Sequence, residues 1–335
     1  MDLQQELSNA VKAVRLASHV CIEVQNNLIN AATIEKKDHS PVTVADYASQ
    51  ALVCATLAQL SSVKELVGEE DSAELRKDDS LHEDKNRENR AKVVAHIAKV
   101  WGSAVSEKQA LDWIDLGNFE PNNELKTYWT LDPIDGTKGF LRAGQYAIAL
   151  ALIDNGQVVT GVLGCPNLVA PDGSLGVILT AIKGQGAFIY PLNNATAKGE
   201  KISVNELANI ADARFCESVE SGHSDQDQSA QIAHALGITS DAVRMDSQAK
   251  YATVARGHAE IYLRLPTRKD YREKIWDHAA GMLIVEEAGG MVTDVTGQPL
   301  DFSQGKQLEN NRGVIATSKK FHSEVLEAVS KFIAL

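Results

Sequence analysis

The chain is poor in cysteine, in basic residues and in long apolar runs, and each shortage excludes something. It has four cysteines, Cys21, Cys54, Cys165 and Cys216, far apart and without a C-x-x-C or a Cys/His pair at zinc spacing. A disulfide framework and a zinc module are therefore set aside in favour of four reduced, mostly buried thiols. No apolar run reaches bilayer-spanning length. The start, MDLQQELSNAVKAV, puts an acid and glutamines where a secretory leader would carry basic residues and an apolar core. A cytoplasmic location and no membrane partner are expected. Lys and Arg number 33 against 45 Asp and Glu, a net charge of −12. That balance argues against a nucleic acid polymer as partner, which needs a basic face. It leaves room for a small anionic substrate held by metal ions or a few local cations. No Cys-x5-Arg loop and no Walker A loop is found, so those routes of phosphoryl chemistry are not indicated.

What is present suits 335 residues arranged as two tightly packed domains. Leu3, Leu7, Val11, Val14 and Ser18 make a helical stripe, with Ala10, Ala17 and Cys21 beside it. A second helix is predicted from about Asp46 to Leu60, after a loop or hairpin around Ser40-Pro41. Val63–Val67 reads as a short strand delivering Glu69 and Glu70. The charged stretch Asp71–Arg90 reads as a solvated loop, or as the polar start of a helix running through Val93, Ile97 and Val100. From Tyr128 strands dominate. Tyr146–Ile153 and Val158–Leu163 flank Asp154-Asn155-Gly156, a strong hairpin signal, and Gly176–Ile182 and Ala187–Tyr190 flank another. The polar segment Leu192–Gly199 marks the expected boundary, giving an α+β domain over residues 1–195 and an α/β domain over 196–335. In the latter, helices are predicted at Ser229–Leu236, Ala249–Arg256, Trp276–Ala288 and Phe321–Phe332, and strands at Ala259–Leu265 and Gly313–Ala316.

The strongest chemical signal is Leu131-Asp132-Pro133-Ile134-Asp135-Gly136-Thr137. An apolar strand ends at two carboxylates three positions apart, on a turn punctuated by Pro and Gly. Magnesium takes hard oxygen ligands, and two carboxylates on a rigid turn can share two ions. Gly136-Thr137 would open a helix whose free N–H groups favour a phosphate. Taken alone, the fragment is equally a polar turn with an Asp cap. It does not stand alone. Asp46 begins a predicted helix, Gly68-Glu69-Glu70 follows a strand, and Trp276-Asp277-His278-Ala279-Ala280-Gly281 places another acid at a helix start.

In that order these segments resemble the lithium-sensitive phosphatases of the inositol monophosphatase superfamily, from about Asp46 to Gly290. The resemblance implies a layered α-β-α-β-α sandwich and a magnesium-dependent phosphomonoesterase using two or three ions. It implies Glu69, Asp132 and the carbonyl of Ile134 around one ion, and Asp132, Asp135 and Asp277 around a second. Asp46 and Thr137 would orient the attacking water, with Glu70 behind them. Lithium sensitivity is implied with them. Independently of the resemblance, two metal ions suit a dianionic ester, since they neutralise it, acidify a water and stabilise the leaving alkoxide.

Within the superfamily, Gly222-His223-Ser224, Asp246-Ser247-Gln248-Ala249-Lys250-Tyr251, Tyr262-Leu263-Arg264-Leu265-Pro266 and Tyr271–Asp277 look like the 3′(2′),5′-bisphosphate nucleotidase branch, which links the chain to sulfur metabolism. That branch implies removal of the 3′-phosphate of adenosine 3′,5′-bisphosphate and of 3′-phosphoadenosine 5′-phosphosulfate. His223 would lie against the adenine, Ser247, Lys250 and Arg264 would hold the uncleaved 5′-phosphate, and Gly136, Thr137 and Asp277 would touch the substrate. The logic is physical: a second dianion needs cations, and cations left unpaired reject a substrate that lacks it. The basic cluster Arg268, Lys269, Arg272, Lys274 is either a solvated loop or a steering patch. An inositol polyphosphate 1-phosphatase is the open alternative. The acting unit is expected to be a monomer.

Overall fold

The computed structural model describes residues 1–27, 33–35, 41–77, 83–121, 127–219, 226–266, 268 and 270–333. The elements in the first part are α1 (Leu3–Asn27), β1 (Thr33–Glu35), β2 (Pro41–Thr43), α2 (Val44–Leu60), β3 (Leu66–Gly68), α3 (Glu83–Trp101), α4 (Glu107–Asp115), β4 (Thr127–Asp135) and α5 (Thr137–Leu141). Then come β5 (Ala147–Asp154), β6 (Gln157–Val169), β7 (Leu175–Ile182), β8 (Gly186–Pro191) and β9 (Glu200–Ile202). The remainder holds β10 (Phe215–Glu217), α6 (Gln226–Ala235), β11 (Val243–Arg244), α7 (Ala249–Ala255), β12 (Ile261–Arg264), α8 (Ala279–Glu287), β13 (Gly290–Thr293), β14 (Val314–Ser318) and α9 (His322–Ser330).

Among the described residues, β3 to β9 form a seven-stranded sheet in chain order. A five-stranded sheet runs β11-β10-β12-β14-β13, and β1 pairs with β2 as the hairpin expected around Pro41. The two-residue loop joining β5 and β6 has positive φ at both Asn155 (50°) and Gly156 (74°), the geometry that makes Asn-Gly a hairpin signal. The first sheet takes its edge strand, β9, from beyond the polar segment Leu192–Gly199.

Strand alternation explains the layering. In β5, Ile148, Leu150 and Leu152 pack with α1, α2, α3 and α4, while Ala147, Ala149, Ala151 and Ile153 pack with α7 and α8. The alanine face lets α8 come close: a Cβ on Gly161 of β6 would stand 3.0 Å from the Ala280 carbonyl oxygen. In the second sheet Tyr262, Val314 and Ala316 face the shared middle layer, and Ile261, Leu263 and Ile315 face α6 and α9. Three apolar cores thus fill the gaps of a five-layer α-β-α-β-α stack, as the sequence implied.

Several elements differ from the expectation. On α1 the expected stripe is fully buried at Val14 and Ser18, as are Ala10, Ala17 and Cys21 beside it, but Leu3, Leu7 and Val11 are only partly covered, and Ala13, Val20 and Val24 are buried as well. The charged stretch is not all solvated. Leu75 is fully buried, and Arg90, 8% exposed, donates to its carbonyl at 2.7 Å. The helix predicted from Trp276 is interrupted. Ile275–Asp277 forms a single 3₁₀ turn, and His278 (φ −135°, ψ −31°) leaves helical geometry before α8 begins.

Candidate active site

The carboxylates are set by backbone geometry at the ends of β3 and β4, which pair in parallel. Gln50 of α2, fully buried, holds the Gly68-Glu69-Glu70 segment. Its Oε1 accepts from the Glu70 N–H at 3.0 Å, and its Nε2 donates to the carbonyls of Glu70 (2.5 Å) and Ile114 (2.9 Å). A Cβ on Gly68 would lie 2.5 Å from that Oε1. Gly68→Ala is therefore expected to cost about 1–3 kcal/mol by overpacking, read as a lower midpoint in chemical denaturation, and to loosen Glu69 and Glu70. An unchanged midpoint would show that Gln50 is not the clamp.

On β4, the Asp132 carboxylate accepts from the Ile134 N–H at 3.1 Å, and Ser49 of α2 donates to the Pro133 carbonyl at 2.8 Å. The Thr137 hydroxyl donates to the Ile134 carbonyl at 3.3 Å. Gly136 has φ +86°, and a Cβ there would stand 2.8 Å from the Ser247 Cβ, so this glycine is required twice over. Ser247 is itself left-handed at φ +68°, uncommon without glycine. That twist aims the Gln248 N–H at Asp135 Oδ2, 2.5 Å away, and lets the Ser247 hydroxyl accept from the Ala249 N–H at 3.1 Å. Gln248 also donates to the Trp276 carbonyl (2.8 Å) and accepts from the Gly281 N–H (3.0 Å). Arg142 pairs with Asp246 at 2.7 Å. Together these contacts bind the β4 turn to the start of α7 and to the Trp276-Asp277 turn.

The result is a cleft of about 1140 Å³. Glu69, Asp132, Asp135 and Asp277 line it together with Ile134, Gly136, Thr137, Ser247, Lys250 and Arg264. Burial pushes the Asp132 carboxyl well above the usual range, with Glu69, Asp135, Asp277 and Asp46 adding negative charge. Asp277 is likewise raised by burial and, although Arg264 opposes it, by Asp135, Glu273 and Glu69. Carboxylates crowded in this way are a donor set that fits a hard divalent cation. Asp46 sits behind the wall, 2% exposed. Glu70 is buried at 4% where Glu69 is exposed.

In the same cleft, Lys250 is 4% exposed, and its ammonium lies 5.3 Å from the centre of the Tyr262 ring. Among the described residues it has no carboxylate within salt-bridge distance, and burial lowers its pKa. Arg264 is occupied: it lies 2.7 Å from Glu273 and 3.4 Å from Asp277. His223 and Lys269 lie outside the described residues. Gln50 carries no distinctive signal in the sequence; Gln248, Tyr251, Glu273 and His278 lie inside the quoted motifs, but only their tertiary partners show what each does. Glu273, Asp277 and His278 are the one group among the described residues whose three ligand-type atoms lie within 4.8 Å of one another.

The inositol monophosphatase family model matches residues 2–334. A relative from Emericella nidulans named 3′(2′),5′-bisphosphate nucleotidase is 44% identical over 100% of both chains. Relatives of the same name from Schizosaccharomyces pombe and Oryza sativa are 44% and 46% identical, over 98% of this chain and 96% and 94% of theirs. Among solved structures, the extragenic suppressor protein suhB of Bartonella henselae superposes with a TM-score of 0.65 at 19% identity, covering 97% of this chain and 98% of its own. An IMPase from Thermotoga maritima gives 0.63 at 21% identity, over 96% and 95%. The structures establish the shared fold, and the full-length sequence match establishes the kinship: the chain belongs to the inositol monophosphatase family.

Proposed function

We propose that this chain is a magnesium-dependent 3′(2′),5′-bisphosphate nucleotidase that hydrolyses the 3′-phosphate of adenosine 3′,5′-bisphosphate, and of 3′-phosphoadenosine 5′-phosphosulfate, to release phosphate. The observation that carries it is the meeting of two unlike sets of groups in one cleft: four carboxylates, Glu69, Asp132, Asp135 and Asp277, and a buried ammonium, Lys250, with no carboxylate within salt-bridge distance among the described residues. The names of the full-length relatives favour the nucleotide over an inositol polyphosphate.

The four carboxylates and the Ile134 carbonyl would hold magnesium, two ions or three. Bound there, magnesium neutralises the ester and lowers the pKa of an attacking water. Asp46 and Thr137 orient that water, and the Gly136–Thr137 backbone receives the phosphate. Lys250, Ser247 and Arg264 take the second phosphate, and His223 the adenine. A monovalent ion such as lithium would supply too little charge at such a site, so lithium inhibition is expected. Both parts of the chain contribute: with a division taken near residue 195, the first supplies Glu69, Asp132, Asp135 and the Gly136–Thr137 backbone, and the second supplies Asp277 and the nucleotide contacts. The acting unit is taken as a monomer in the cytoplasm.

Phosphate release from adenosine 3′,5′-bisphosphate, inositol 1,4-bisphosphate and inositol 1-phosphate, each with magnesium and with EDTA, tests this directly. Magnesium-dependent release, strong for the nucleotide and weak for the inositols, is expected. Preference for an inositol phosphate would keep the metal chemistry and discard the roles of His223, Lys250 and Arg264.

A further inference from the structure

Behind the cleft wall runs a line of buried polar side chains that the proposed chemistry does not use. The Tyr251 hydroxyl lies 2.7 Å from His278 Nδ1, and His278 Nε2 lies 3.2 Å from Glu273 Oε2. The same Glu273 oxygen is 2.7 Å from Arg264 Nη2, which is 3.4 Å from Asp277 Oδ2. Tyr251 and His278 are fully buried and Glu273 is 6% exposed. Donor and acceptor roles follow from the ends. Glu273 beside a guanidinium is an ionised acceptor, so His278 Nε2 carries a proton and donates to it. A buried neutral imidazole then has only a lone pair at Nδ1, which accepts from the Tyr251 hydroxyl.

Glu273, Asp277 and His278 resemble a small metal site of their own by spacing. Arg264 argues otherwise, because its guanidinium already spans the two carboxylates. The line also reaches Lys250. The Tyr251 ring meets the Tyr262 ring edge-on at 4.9 Å, and Lys250 sits over Tyr262.

We propose that Tyr251 and His278 are positioning residues for Asp277. They fix Glu273, Glu273 fixes Arg264, and Arg264 holds one Asp277 oxygen so that the other is turned to the cation of the cleft. This rests on the reading of Asp277 as a metal ligand. Groups that orient a ligand from behind commonly set metal affinity by 10–100-fold.

Mn²⁺ serves as the probe, titrated calorimetrically into metal-free full-length protein, with the melting temperature measured alongside. His278→Phe is expected to weaken Mn²⁺ binding about 10-fold, His278→Gln, which keeps a donor for Glu273, less, and Tyr251→Phe ~3-fold. A purely structural role would lower the melting temperature and leave the Mn²⁺ dissociation constant alone. Unchanged affinity in His278→Phe and Tyr251→Phe, with Mn²⁺ binding lost in Asp277→Asn, overturns the positioning role and leaves the metal reading intact. Affinity unchanged in Asp277→Asn overturns both. If His278→Phe does not fold, Tyr251→Phe, which removes a single oxygen from a buried ring, decides the matter.

Discussion

Asp132→Asn is expected to lower turnover by at least about 10³-fold and, in metal-free protein at pH 7.5, to raise the melting temperature. Both effects have one origin. Asp132 is 3% exposed, and burial together with Glu69, Asp135, Asp277 and Asp46 holds its carboxyl well above the ordinary range. A carboxyl whose folded pKa exceeds its unfolded value binds more protons in the folded state. Its contribution to stability is complete below the unfolded pKa, near 4, and is lost as pH rises through the folded value. At neutral pH, well above the unfolded value, the raised Asp132 carboxyl therefore works against the metal-free fold, by up to ~1.4 kcal/mol for every tenfold gain in proton affinity on folding. Asparagine is isosteric and keeps the acceptor that takes the Ile134 N–H. A rise of roughly 2–4 °C per kcal/mol relieved follows. Magnesium should stabilise the parent at pH 7.5 and do so less at pH 5, where protons compete for the same oxygens. Calorimetry of both proteins, with and without magnesium, decides. An Asp132→Asn protein that melts lower than the parent without metal, or that still turns over, removes Asp132 from the centre of the site.

That trade between stability and function also explains what the sequence revealed. Asp132-Pro133-Ile134-Asp135-Gly136-Thr137 was legible because its geometry is local: a strand end, a proline, a glycine forced to φ +86° and a helix start. The acids in it break the apolar pattern of a fully buried strand. The β5–β6 hairpin was legible for the same reason, since Asn155-Gly156 specifies its own turn. What local pattern could not supply was partnership. Glu273 and His278 read as ordinary charged and polar residues in the Tyr271–Asp277 and WDHAAG segments. Their meaning comes from Tyr251 and Arg264, on different elements of the second half. Gln50 is a helix glutamine until the Gly68 and Gly117 backbones close on it. The short strands β10, β11 and β13 carry too few residues for alternation to show, and exist because β12 pairs with β10, β10 with β11 and β14 with β13. The break at His278 was hidden because Trp276–Ala288 keeps a helical pattern, while tertiary contacts to Tyr251 and Glu273 decide the backbone.

Lys250→Met addresses the cation of the cleft. A buried lysine with no carboxylate at salt-bridge distance among the described residues is costly, since burial disfavours its charge and lowers its pKa. For a base held below its unfolded value, the folded state binds fewer protons, so the penalty is present at neutral pH and fades only as pH rises toward the ordinary lysine range, near 10. Asp135 and Asp246 favour that cation only from beyond salt-bridge distance, and methionine fills a similar volume and can lie against Tyr262. The substitution is therefore expected to stabilise the free protein by about 1 kcal/mol or more. The loss appears with substrate. The 5′-phosphate of adenosine 3′,5′-bisphosphate would lose a desolvated, charge-assisted partner, an effect of about 2–5 kcal/mol, or a 30- to several-thousand-fold fall in kcat/KM. Adenosine 3′-monophosphate has no second phosphate and should be turned over by Lys250→Met much as by the parent. The measurement is the ratio of kcat/KM for the two nucleotides. A collapse of that ratio, with the melting temperature raised, places the second phosphate on Lys250. If both nucleotides lose equally, Lys250 acts at the reacting phosphate; if neither loses, the second phosphate binds elsewhere in the cleft, with Arg264 and Arg268 the cations next to be tested.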